Sequence, residues 1–296
     1  MNNKALILLS LLLLIACENA NKSKNLIVCG DNKIIVIDIQ SQLNKENNIN
    51  VIWEWQPEDS KSLPELYKKT YFTQIDECKS IKGANKILVA SSHGGAGIIE
   101  RESKDMSFYT YVGNAHSIEL VSDSLVAVVG SFHEKGNRLS LFRSNEIDAK
   151  PIYTDSIYGG HGLVWENKNQ ILYVLGFEDL RVYKLLLNNQ LKLLNNWKIP
   201  GKSGHDLIQD PMDSNKLILT ESENVWEFDK LNNTFSEFQP LVNKKNVKSV
   251  SISFDEKLAY TQAEESWWTH HINVLNPQRI ISVPNIKIYK CRWDKR

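Results

Sequence analysis

Six basic side chains recur along the chain at nearly equal intervals. Each lies in a similar short segment, such as "GGHGLVW" at 159–165 or "NAHSIEL" at 114–120. We call these six the marker residues: Lys79, His116, His161, His205, Lys248 and Lys290. The steps between them are 37, 45, 44, 43 and 42 residues. A fixed period in this range indicates an array of structural repeats.

Imidazole and ammonium groups gathered in one place would serve one of three roles. Converging positive groups attract an anion, such as a uronate, a sulfate or a phosphate, because a bound anion relieves their mutual repulsion. His116, His161 and His205 would alternatively ligate Zn²⁺ or Mn²⁺, since neutral imidazole is a common ligand of both metals. The third role is structural, with each marker hydrogen-bonded to the neighbouring repeat. The interposed lysines favour the anion site over the metal site.

Short β-rich runs follow the markers and would position them. They include "KILVASS" at 86–92, "SLVAVVGS" at 124–131 and "QILYVLG" at 170–176, and each is followed by a loop and another such run. Runs of β-branched and aromatic residues bounded by Gly, Asn, Asp and Ser are typical of strands. Each repeat therefore contains four antiparallel strands, which is the content of one β-propeller blade. A two-sheet sandwich is the competing fold, but sandwiches rarely repeat one pattern at constant spacing.

The markers predict an all-β, six-bladed β-propeller with four-stranded antiparallel blades. Five markers open complete blades, and Lys290 opens a sixth whose other strands are predicted at 25–30, 33–39 and 49–55. Closure of the C-terminal blade by N-terminal strands leaves no open edge. Residues 56–74 form an insertion with a helical turn. Because the innermost strands line a central channel, the six markers are predicted to form a ring around one mouth.

Loops on the same face carry most of the other titratable side chains. All seven histidines lie on a marker or in or beside a loop that joins the second and third strands of a blade. Because successive side chains of a strand alternate, at least one of the adjacent Trp267 and Trp268 should be exposed to stack on a sugar. The alternative is a tryptophan packed under its own loop. These loops add eight candidate ligand-binding residues: His93, Gln262, Glu264, Glu265, Trp267, Trp268, His270 and His271.

The N-terminal segment predicts a lipid anchor. Residues 1–16 contain Lys4 and an apolar run that is typical of a signal peptide and too short to span a bilayer. The run ends in "LIAC", which resembles the bacterial lipobox, whose cysteine, here Cys17, becomes the acylated first residue. The alternatives are an ordinary signal peptide or a membrane anchor. We expect a signal peptide at 1–16, a lipidated cysteine and tether at 17–24, and a propeller domain at 25–296, in the bacterial cell envelope at the outer membrane.

Composition narrows the range of partners. The chain has 35 basic and 35 acidic residues, so no overall field attracts nucleic acid. We expect a monomer that contacts the membrane only through its lipid. Cys29, Cys78 and Cys291 remain after Cys17, and they fit small buried residues. The predicted closure brings the segments of Cys29 and Cys291 together, which leaves a disulfide between them as a second interpretation.

Several segments together carry a resemblance to a family. They are "NAHSIEL", "GHGLVW", "PGKSGHDL", "VKSVSI" and "AYTQAEESWWTHHI". The chain after residue 24 resembles an uncharacterised family of bacterial six-bladed propeller lipoproteins, which implies a propeller fold and an envelope location. It has a looser likeness to the seven-bladed oligogalacturonate lyases. That likeness implies a metal held beside a uronate by His and Gln residues, with Gln262, His270 and His271 in those positions.

The leading functional hypothesis is a binding module. It would hold a small anionic or carbohydrate ligand at the mouth of the channel through the Lys and His ring. The first alternative is an enzyme, a metal-assisted lyase or hydrolase of acidic oligosaccharides, with His as base and Lys neutralising a carboxylate. The second alternative is a scaffold that presents its rim to a partner protein.

Overall fold

The chain forms six four-stranded antiparallel sheets arranged around one axis, so the predicted six-bladed propeller is confirmed. This computed structural model describes residues 24–40, 49–81, 83 and 85–295. The predicted signal peptide and Cys17 lie outside the described residues. Nothing in the structure tests the predicted division at residues 16 and 24, although the first strand begins at Asn25.

The described part of the chain contains twenty-four strands. In chain order they are β1 (Asn25–Gly30), β2 (Lys33–Asp38), β3 (Val51–Trp55), β4 (Ile75–Ser80), β5 (Lys86–Ser91), β6 (Gly95–Glu100), β7 (Met106–Tyr111), β8 (Ala115–Ser122), β9 (Leu125–Gly130), β10 (Arg138–Arg143), β11 (Tyr153–Ser156), β12 (Gly162–Glu166), β13 (Ile171–Leu175), β14 (Asp179–Leu185), β15 (Leu191–Lys198), β16 (Asp206–Gln209), β17 (Lys216–Thr220), β18 (Val225–Asp229), β19 (Thr234–Glu237), β20 (Val247–Ile252), β21 (Leu258–Gln262), β22 (His271–Leu275), β23 (Arg279–Ser282) and β24 (Ile288–Trp293).

The closing blade joins the two ends of the described chain, as predicted. Its strand order is β24-β1-β2-β3, with the last strand innermost. Val28 pairs with Cys291 in the antiparallel ladder between β1 and β24. Just beyond β24, Asp294 forms a buried ion pair of 2.6 Å with Arg101 of the next blade. This pair fastens the closing blade to its neighbour.

The core lies between the blades. Apolar side chains from the facing surfaces of neighbouring sheets pack into six clusters around the axis. The second strands of the blades are the most deeply enclosed, and every residue of β9 is buried. These strands are covered on both faces, which explains their nearly continuous runs of Val, Leu, Ile and Ala.

The six innermost strands, namely β4, β8, β12, β16, β20 and β24, all run in the same direction. We call the side on which they begin the marker face, and the side on which they end the opposite face. Connections between blades and loops between second and third strands lie on the marker face. The insertion at 56–74 runs along the outer side of the blade β4–β7, with a short 3₁₀ helix at Pro57–Asp59 and a π-helix at Tyr67–Tyr71, and Ser60 and Ser62 bond to Asp105 in the loop between β6 and β7. A second 3₁₀ helix spans Gln239–Leu241.

All three cysteines of the propeller are buried and free, so the disulfide between Cys29 and Cys291 is not formed. The reason is register. Cys29 pairs with Lys290, whereas Cys291 pairs with Val28. Because side chains alternate along a strand, the two thiols point to opposite faces of the closing blade. Cys29 packs in the same cluster as Cys78, and Cys291 packs in the cluster on the other side.

Candidate functional site

Four markers meet at the channel mouth on the marker face. The ring centroids of His116 and His161 are 4.3 Å apart, and those of His161 and His205 are 5.6 Å apart. Lys248 Nζ lies 2.8 Å from Nε2 of His205. Four consecutive blades thus place a basic group at the same corner. We call this group of His116, His161, His205 and Lys248 the histidine mouth.

A shared turn explains why these four side chains coincide. The residue two positions before each of them has a positive φ: 52° at Asn114, 58° at Gly159, 66° at Ser203 and 57° at Asn246. A left-handed residue reverses the chain tightly, and Asn and Gly adopt this conformation most readily. The turn fixes where each innermost strand begins. The basic side chain that follows therefore points to the axis in each of these blades.

The same turn orients two of the imidazoles. His116 Nδ1 lies 3.0 Å from the carbonyl oxygen of Asn114, and His161 Nδ1 lies 2.9 Å from that of Gly159. A carbonyl oxygen only accepts hydrogen bonds, so Nδ1 of each ring carries a proton and donates. In the neutral rings Nε2 is then the unprotonated nitrogen. Both imidazoles can therefore accept a proton at Nε2.

The two remaining markers are not in this ring, which corrects the predicted crown of six. In β4 and β24 the corresponding positions belong to Asp76 and Tyr289. The hydrogen-bond ladder between the first and second strands of the blade skips Asp76 and Tyr289, just as it skips His116 and Lys248. The same bulge therefore occurs in four of the blades. Bulges re-aim side chains and are frequent beside functional sites.

The prediction for these two blades is wrong because Lys79 and Lys290 match the other markers in residue type but not in position relative to the bulge. The lysine of "ECKSI" lies three residues beyond Asp76, and that of "IYKCRW" lies one residue beyond Tyr289. Tyr289 takes its place in the ring beside His116, with ring centroids 6.0 Å apart. The complete ring of the marker face is therefore basic on four blades, acidic on one and phenolic on one.

Lys290 is fully buried in the channel, one layer below the ring. Its ammonium lies 3.2 Å from Glu77 and 3.3 Å from Asp206. Arg292 joins the same two carboxylates at 3.0 and 2.6 Å. Two cations and two anions thus balance in the middle of the channel. Sequence reasoning missed both carboxylates and Arg292, although "ECK" and "GHDL" place an acid just after the ring position in β4 and β16.

Lys79 lies toward the opposite face. Its Nζ contacts Glu119 at 3.1 Å and donates to the carbonyl oxygen of Leu163 at 2.9 Å. It lines a cavity of about 1070 Å³ at the opposite mouth, together with Glu119, Trp165, Gln209, Arg292 and Trp293. The sequence did not predict this cavity, because the loops rich in His and Glu side chains lie on the marker face.

Burial dominates the electrostatics of the histidine mouth. Desolvation lowers the pKa of His116, His161 and His205. Repulsion from the neighbouring histidines lowers the pKa of His161 further, and Lys248 does the same for His205. Burial also lowers the pKa of Lys248 to about 8. Without a ligand, the three imidazoles are therefore neutral at pH 7 and Lys248 is still charged.

Exposed aromatic rings border the histidine mouth. Phe132, Tyr158 and Phe177 contact one another edge to face, with centroid separations of 5.0 to 5.7 Å. Phe132 also lies 6.3 Å from the ring of His161. The side chains of Phe132 and Tyr158 are 44% and 61% exposed. We call these three residues the aromatic rim. The segments "GSF" and "GF", each at the end of a second strand, were the available sequence signal.

The loop at 262–271 lies on the marker face, but its side chains bond mainly within and beside the loop. His271 Nδ1 lies 2.8 Å from Glu264, and Thr269 donates to the same carboxylate at 2.5 Å. His270 Nδ1 donates to Ile286 O at 2.8 Å.

The other candidates of these loops are placed as follows. Trp267 is 46% exposed, whereas Trp268 is half-buried with the ammonium of Lys287 5.1 Å from its ring centroid. Gln262 donates to Lys245 O at 2.9 Å, and Glu265 is exposed at the turn that pairs it with Trp268. His93 lies 2.5 Å from the hydroxyl of Thr73. Among the described residues, none of these hydrogen bonds, ion pairs or ring contacts is with a residue of the histidine mouth, although Gln262 pairs with Val247, the neighbour of Lys248.

Comparison with known proteins places the chain in a family but not in a function. The model of one family, a family of unknown function (DUF6528), matches residues 4–295. The chain belongs to the DUF6528 family. No match is found among the curated proteins. A similar solved structure is the "Crystal structure of Nidogen/Laminin Complex", with a TM-score of 0.64 and 10% sequence identity over 92% of this chain and 99% of that chain. At this identity the likeness supports the fold alone.

Two further findings concern metal ions and the membrane. Within residues 24–40, 49–81, 83 and 85–295, no group of three or more His, Cys, Asp and Glu side chains has the arrangement of a metal site. The metal site at His116, His161 and His205 therefore remains a prediction from the sequence. Helices long and apolar enough to span a membrane are likewise not found in the part of the chain that the structure describes.

Proposed function

We propose that the histidine mouth binds a small anionic ligand, and that this ligand is an acidic saccharide. The observation that carries the proposal is the environment of Lys248. Its side chain is buried, with 6% of the residue exposed. Among the described residues, no carboxylate lies within ion-pair distance of its ammonium, whose hydrogen-bond partner is the imidazole of His205.

The buried cations deeper in the channel show how unusual this is. Lys290 and Arg292 are each paired with both Glu77 and Asp206. A buried charge without a partner costs several kcal/mol of folding free energy, and a pairing anion removes much of that cost. The ammonium of Lys248 is charged at pH 7 and lacks such an anion. A carboxylate, sulfate or phosphate group placed beside it would supply the missing charge.

The imidazoles would adapt to the anion. The Nε2 atoms of His116 and His161 are free of protons in the neutral rings, since Nδ1 donates to the backbone. An anion at the mouth attracts a proton to Nε2, which raises the pKa of the histidines and turns each Nε2 into a donor. Binding of the anion would therefore be accompanied by uptake of protons.

The aromatic rim directs the proposal toward sugars. Phenyl and phenol faces pack against the apolar C–H faces of a ligand, while a phenol hydroxyl also donates a hydrogen bond. Phe132 and Tyr158 offer such surfaces next to His161. A uronate or a sulfated sugar combines an anionic group for Lys248 with a ring for the rim.

Calorimetry on two lysine variants tests this function. Lys248→Met removes the charge, and Lys245→Met is the matched control. Lys245 is on the same face, 65% exposed and paired with Glu223. The probes are galacturonate, inorganic sulfate and inorganic phosphate. A lost charge-assisted hydrogen bond of about 1.5–3 kcal/mol weakens binding tenfold or more in Lys248→Met. The control should remain within about twofold. Equal affinities in wild type and Lys248→Met would refute the proposal.

An enzyme acting on acidic oligosaccharides is a second candidate. It is favoured by the neutral state of the three imidazoles, because a general base must be unprotonated at the working pH. His161 or His116 would take a proton, and Lys248 would neutralise the uronate carboxylate. Incubation with polygalacturonate, with and without Mn²⁺ or Zn²⁺, followed by measurement of reducing ends and of ultraviolet absorbance, separates hydrolysis and lyase activity from binding alone.

A protein-interaction scaffold is the third candidate, and the cavity at the opposite mouth supports it. Arg292 and Trp165 line the cavity, and each has one buried N–H donor, Arg292 Nε and Trp165 Nε1, without a hydrogen-bond partner among the described residues. A protein loop that entered the cavity and displaced the side chains covering these donors would supply acceptors. Loss of partner capture on Trp165→Ala, with Lys245→Met as control, would support this candidate.

We further propose that the protein is a lipoprotein of the bacterial cell envelope, anchored through Cys17. The support is the "LIAC" segment and the short apolar run before it. Lys24 lies at the rim of the opposite-mouth cavity. A tether at 17–24 would therefore join the propeller on the opposite face, and the histidine mouth would then be directed away from the membrane. Metabolic labelling with palmitate should mark the wild type and not Cys17→Ala.

A further inference from the structure

A second concave surface lies on the outer side of the propeller, beside the insertion at 56–74. It is a groove of about 420 Å³ between the insertion, the outer strand β7 and loops of the following blade. We call it the tyrosine groove. It is lined by Pro64, Leu66, Tyr67, Tyr71, Tyr109, Tyr111, Lys135, Asp148 and Lys150.

Four phenol rings form one continuous array of edge-to-face and tilted contacts in this groove. The ring centroids of Tyr67 lie 5.0 Å from Tyr71 and 4.7 Å from Tyr109, and Tyr71 lies 4.6 Å from Tyr111. Tyr67 and Tyr109 are buried, whereas Tyr71 and Tyr111 are half-buried. Tyr67 and Tyr109 thus support the array from the protein interior, and Tyr71 and Tyr111 remain accessible from the groove.

Contacts with the blade β4–β7 and with the following blade, β8–β11, hold the groove in place. Tyr67 and Tyr71 are the first and last residues of the π-helix, a rare turn that is frequent at functional sites. Tyr67 donates to Asp148 Oδ1 at 2.7 Å, which links the insertion to the next blade. The ring of Tyr111 lies on the α-carbon of Gly94, where any Cβ would come within 2.4 Å of the ring. The accessible rings are therefore preorganised.

The groove is lined by more positive than negative side chains. Lys135 and Lys150 are exposed, and neither forms an ion pair with a carboxylate of the described residues. Asp148 is the one acidic residue of the lining, and it already accepts the hydroxyl of Tyr67. Burial raises the pKa of Tyr109 and Tyr111, so their hydroxyls remain donors at neutral pH. The groove thus offers donors, positive charge and aromatic faces.

We propose that the tyrosine groove binds an acidic mono- or disaccharide, separately from the histidine mouth. The faces of Tyr71 and Tyr111 would pack against the sugar ring, and Lys135 and Lys150 would pair with its carboxylate or sulfate. The volume lies in the range of about 300–1,000 Å³ that is usual for small-molecule sites. Aromatic surface combined with a few polar groups is the usual composition of such sites. This inference does not depend on the proposed function of the histidine mouth.

The test uses the full propeller in the Lys248→Met background, in which binding at the histidine mouth is expected to be weakened tenfold or more. The probes are digalacturonate, a sulfated disaccharide and neutral lactose, and the measurements are calorimetry and saturation-transfer NMR. We expect at least one acidic probe to bind, with an affinity that Tyr71→Ala lowers tenfold or more. Lactose should bind at least fivefold more weakly than that acidic probe.

Two further variants keep the outcome clear if Tyr71→Ala disturbs the insertion. Lys135→Glu with Lys150→Glu alters only exposed side chains and should weaken the acidic probe tenfold or more. Lys168→Glu with Lys192→Glu, at exposed lysines outside the lining, is the matched charge control and should have little effect. The proposal is overturned if neither acidic probe binds in the Lys248→Met background, if the two double variants bind equally, or if lactose binds as tightly.

Discussion

At the scale of single residues, the channel contrasts two ways of burying a lysine. Lys290 is neutralised by Glu77 and Asp206 one layer inside the channel. Lys248 has an imidazole in place of a carboxylate. The first arrangement is complete without a ligand, whereas the second gains a partner only from outside the chain. This difference is the basis of the proposed anion site.

The pH dependence of stability should report on Lys248. Its pKa is about 8 in the folded protein and 10.5 in the unfolded chain. Between these values the unfolded state binds more protons, so the free energy of unfolding rises with pH, by about 3 kcal/mol in total from this group. Urea denaturation from pH 7 to 10.5 should show this rise in the wild type and its loss in Lys248→Met.

The affinity for the anion should follow the opposite course. A bound anion favours the charged ammonium, so affinity is greatest below pH 8 and falls up to tenfold per pH unit above it. Calorimetry with galacturonate at pH 7, 8 and 9 measures this fall. A constant affinity over this range would contradict a role for Lys248 in binding.

The buried cluster around Glu77 should be essential for stability. Burial would raise the pKa of Glu77, but attraction from Arg292 and Lys290 outweighs it and holds the pKa below its usual range. Glu77→Gln leaves both cations with one carboxylate, and loss of one partner from a buried pair costs about 3–5 kcal/mol. Urea denaturation measures the cost. Glu223→Gln, at an exposed ion pair, should change stability by less than about 1 kcal/mol.

The sequence predicted four of the six markers in their place, and it did so for a physical reason. His116, His161, His205 and Lys248 follow left-handed turns whose Asn, Gly and Ser residues are visible in the sequence. The other two blades lack that turn, so matching by residue type led to Lys79 and Lys290. The aromatic rim was missed, because its sequence signal, a phenylalanine just after the second strand in "GSF" and "GF", recurs in two blades alone.

At the scale of elements, the contact between β1 and β24 depends on the absence of a side chain at Gly30. A Cβ at this position would lie 2.0 Å from the carbonyl oxygen of Lys287. The conflict is with backbone, which cannot turn aside as a side chain can. The end of β1 and the start of β24 therefore approach more closely than any other residue type would allow.

Gly30→Ala should consequently separate the first and last strands. Overpacking of a rigid contact costs about 1–3 kcal/mol. Thermal denaturation should show a lower melting temperature, and hydrogen exchange should increase first in β1 and β24. The control is Asn32→Ala in the same turn, which should leave both measurements nearly unchanged. Equal behaviour of the two variants would show that the strands adapt without strain.

The elements themselves were largely predictable from the sequence. Short β-branched runs gave the strands of all six blades because alternating and continuous apolar patterns reflect burial on one or both faces of a sheet. The register of pairing between strands was harder to predict. Cys29 pairs with Lys290, one residue before Cys291, so the two thiols lie on opposite faces of the sheet and the disulfide considered from the sequence does not form.

At the scale of the whole molecule, the ring of blades is closed by one strand and one ion pair. β24 is bonded to β1, and Asp294 is paired with Arg101 of the next blade. Each blade buries its two faces against two neighbours. An opening at the closing blade would expose both of its apolar faces at once.

Removal of β24 should therefore prevent formation of a stable, soluble propeller. A chain that stops after Asn285 leaves β1 as an unpaired edge, and such edges favour aggregation. Size-exclusion chromatography should show large assemblies in place of the species that the full chain forms. A synthetic peptide of residues 286–296 should restore part of that species, whereas a peptide with Gly in place of Lys290 and Arg292 should not. A soluble, folded truncated chain would show that closure is dispensable.

The order of strands in the closing blade has a consequence for biosynthesis. β1 leaves the ribosome first among the strands, but its partner on the channel side, β24, leaves last. Until β24 has been synthesised, one side of β1 has no permanent neighbour, and the two carboxylates of the channel lack Lys290 and Arg292. The nascent chain must therefore be kept from pairing with other chains until β24 has emerged.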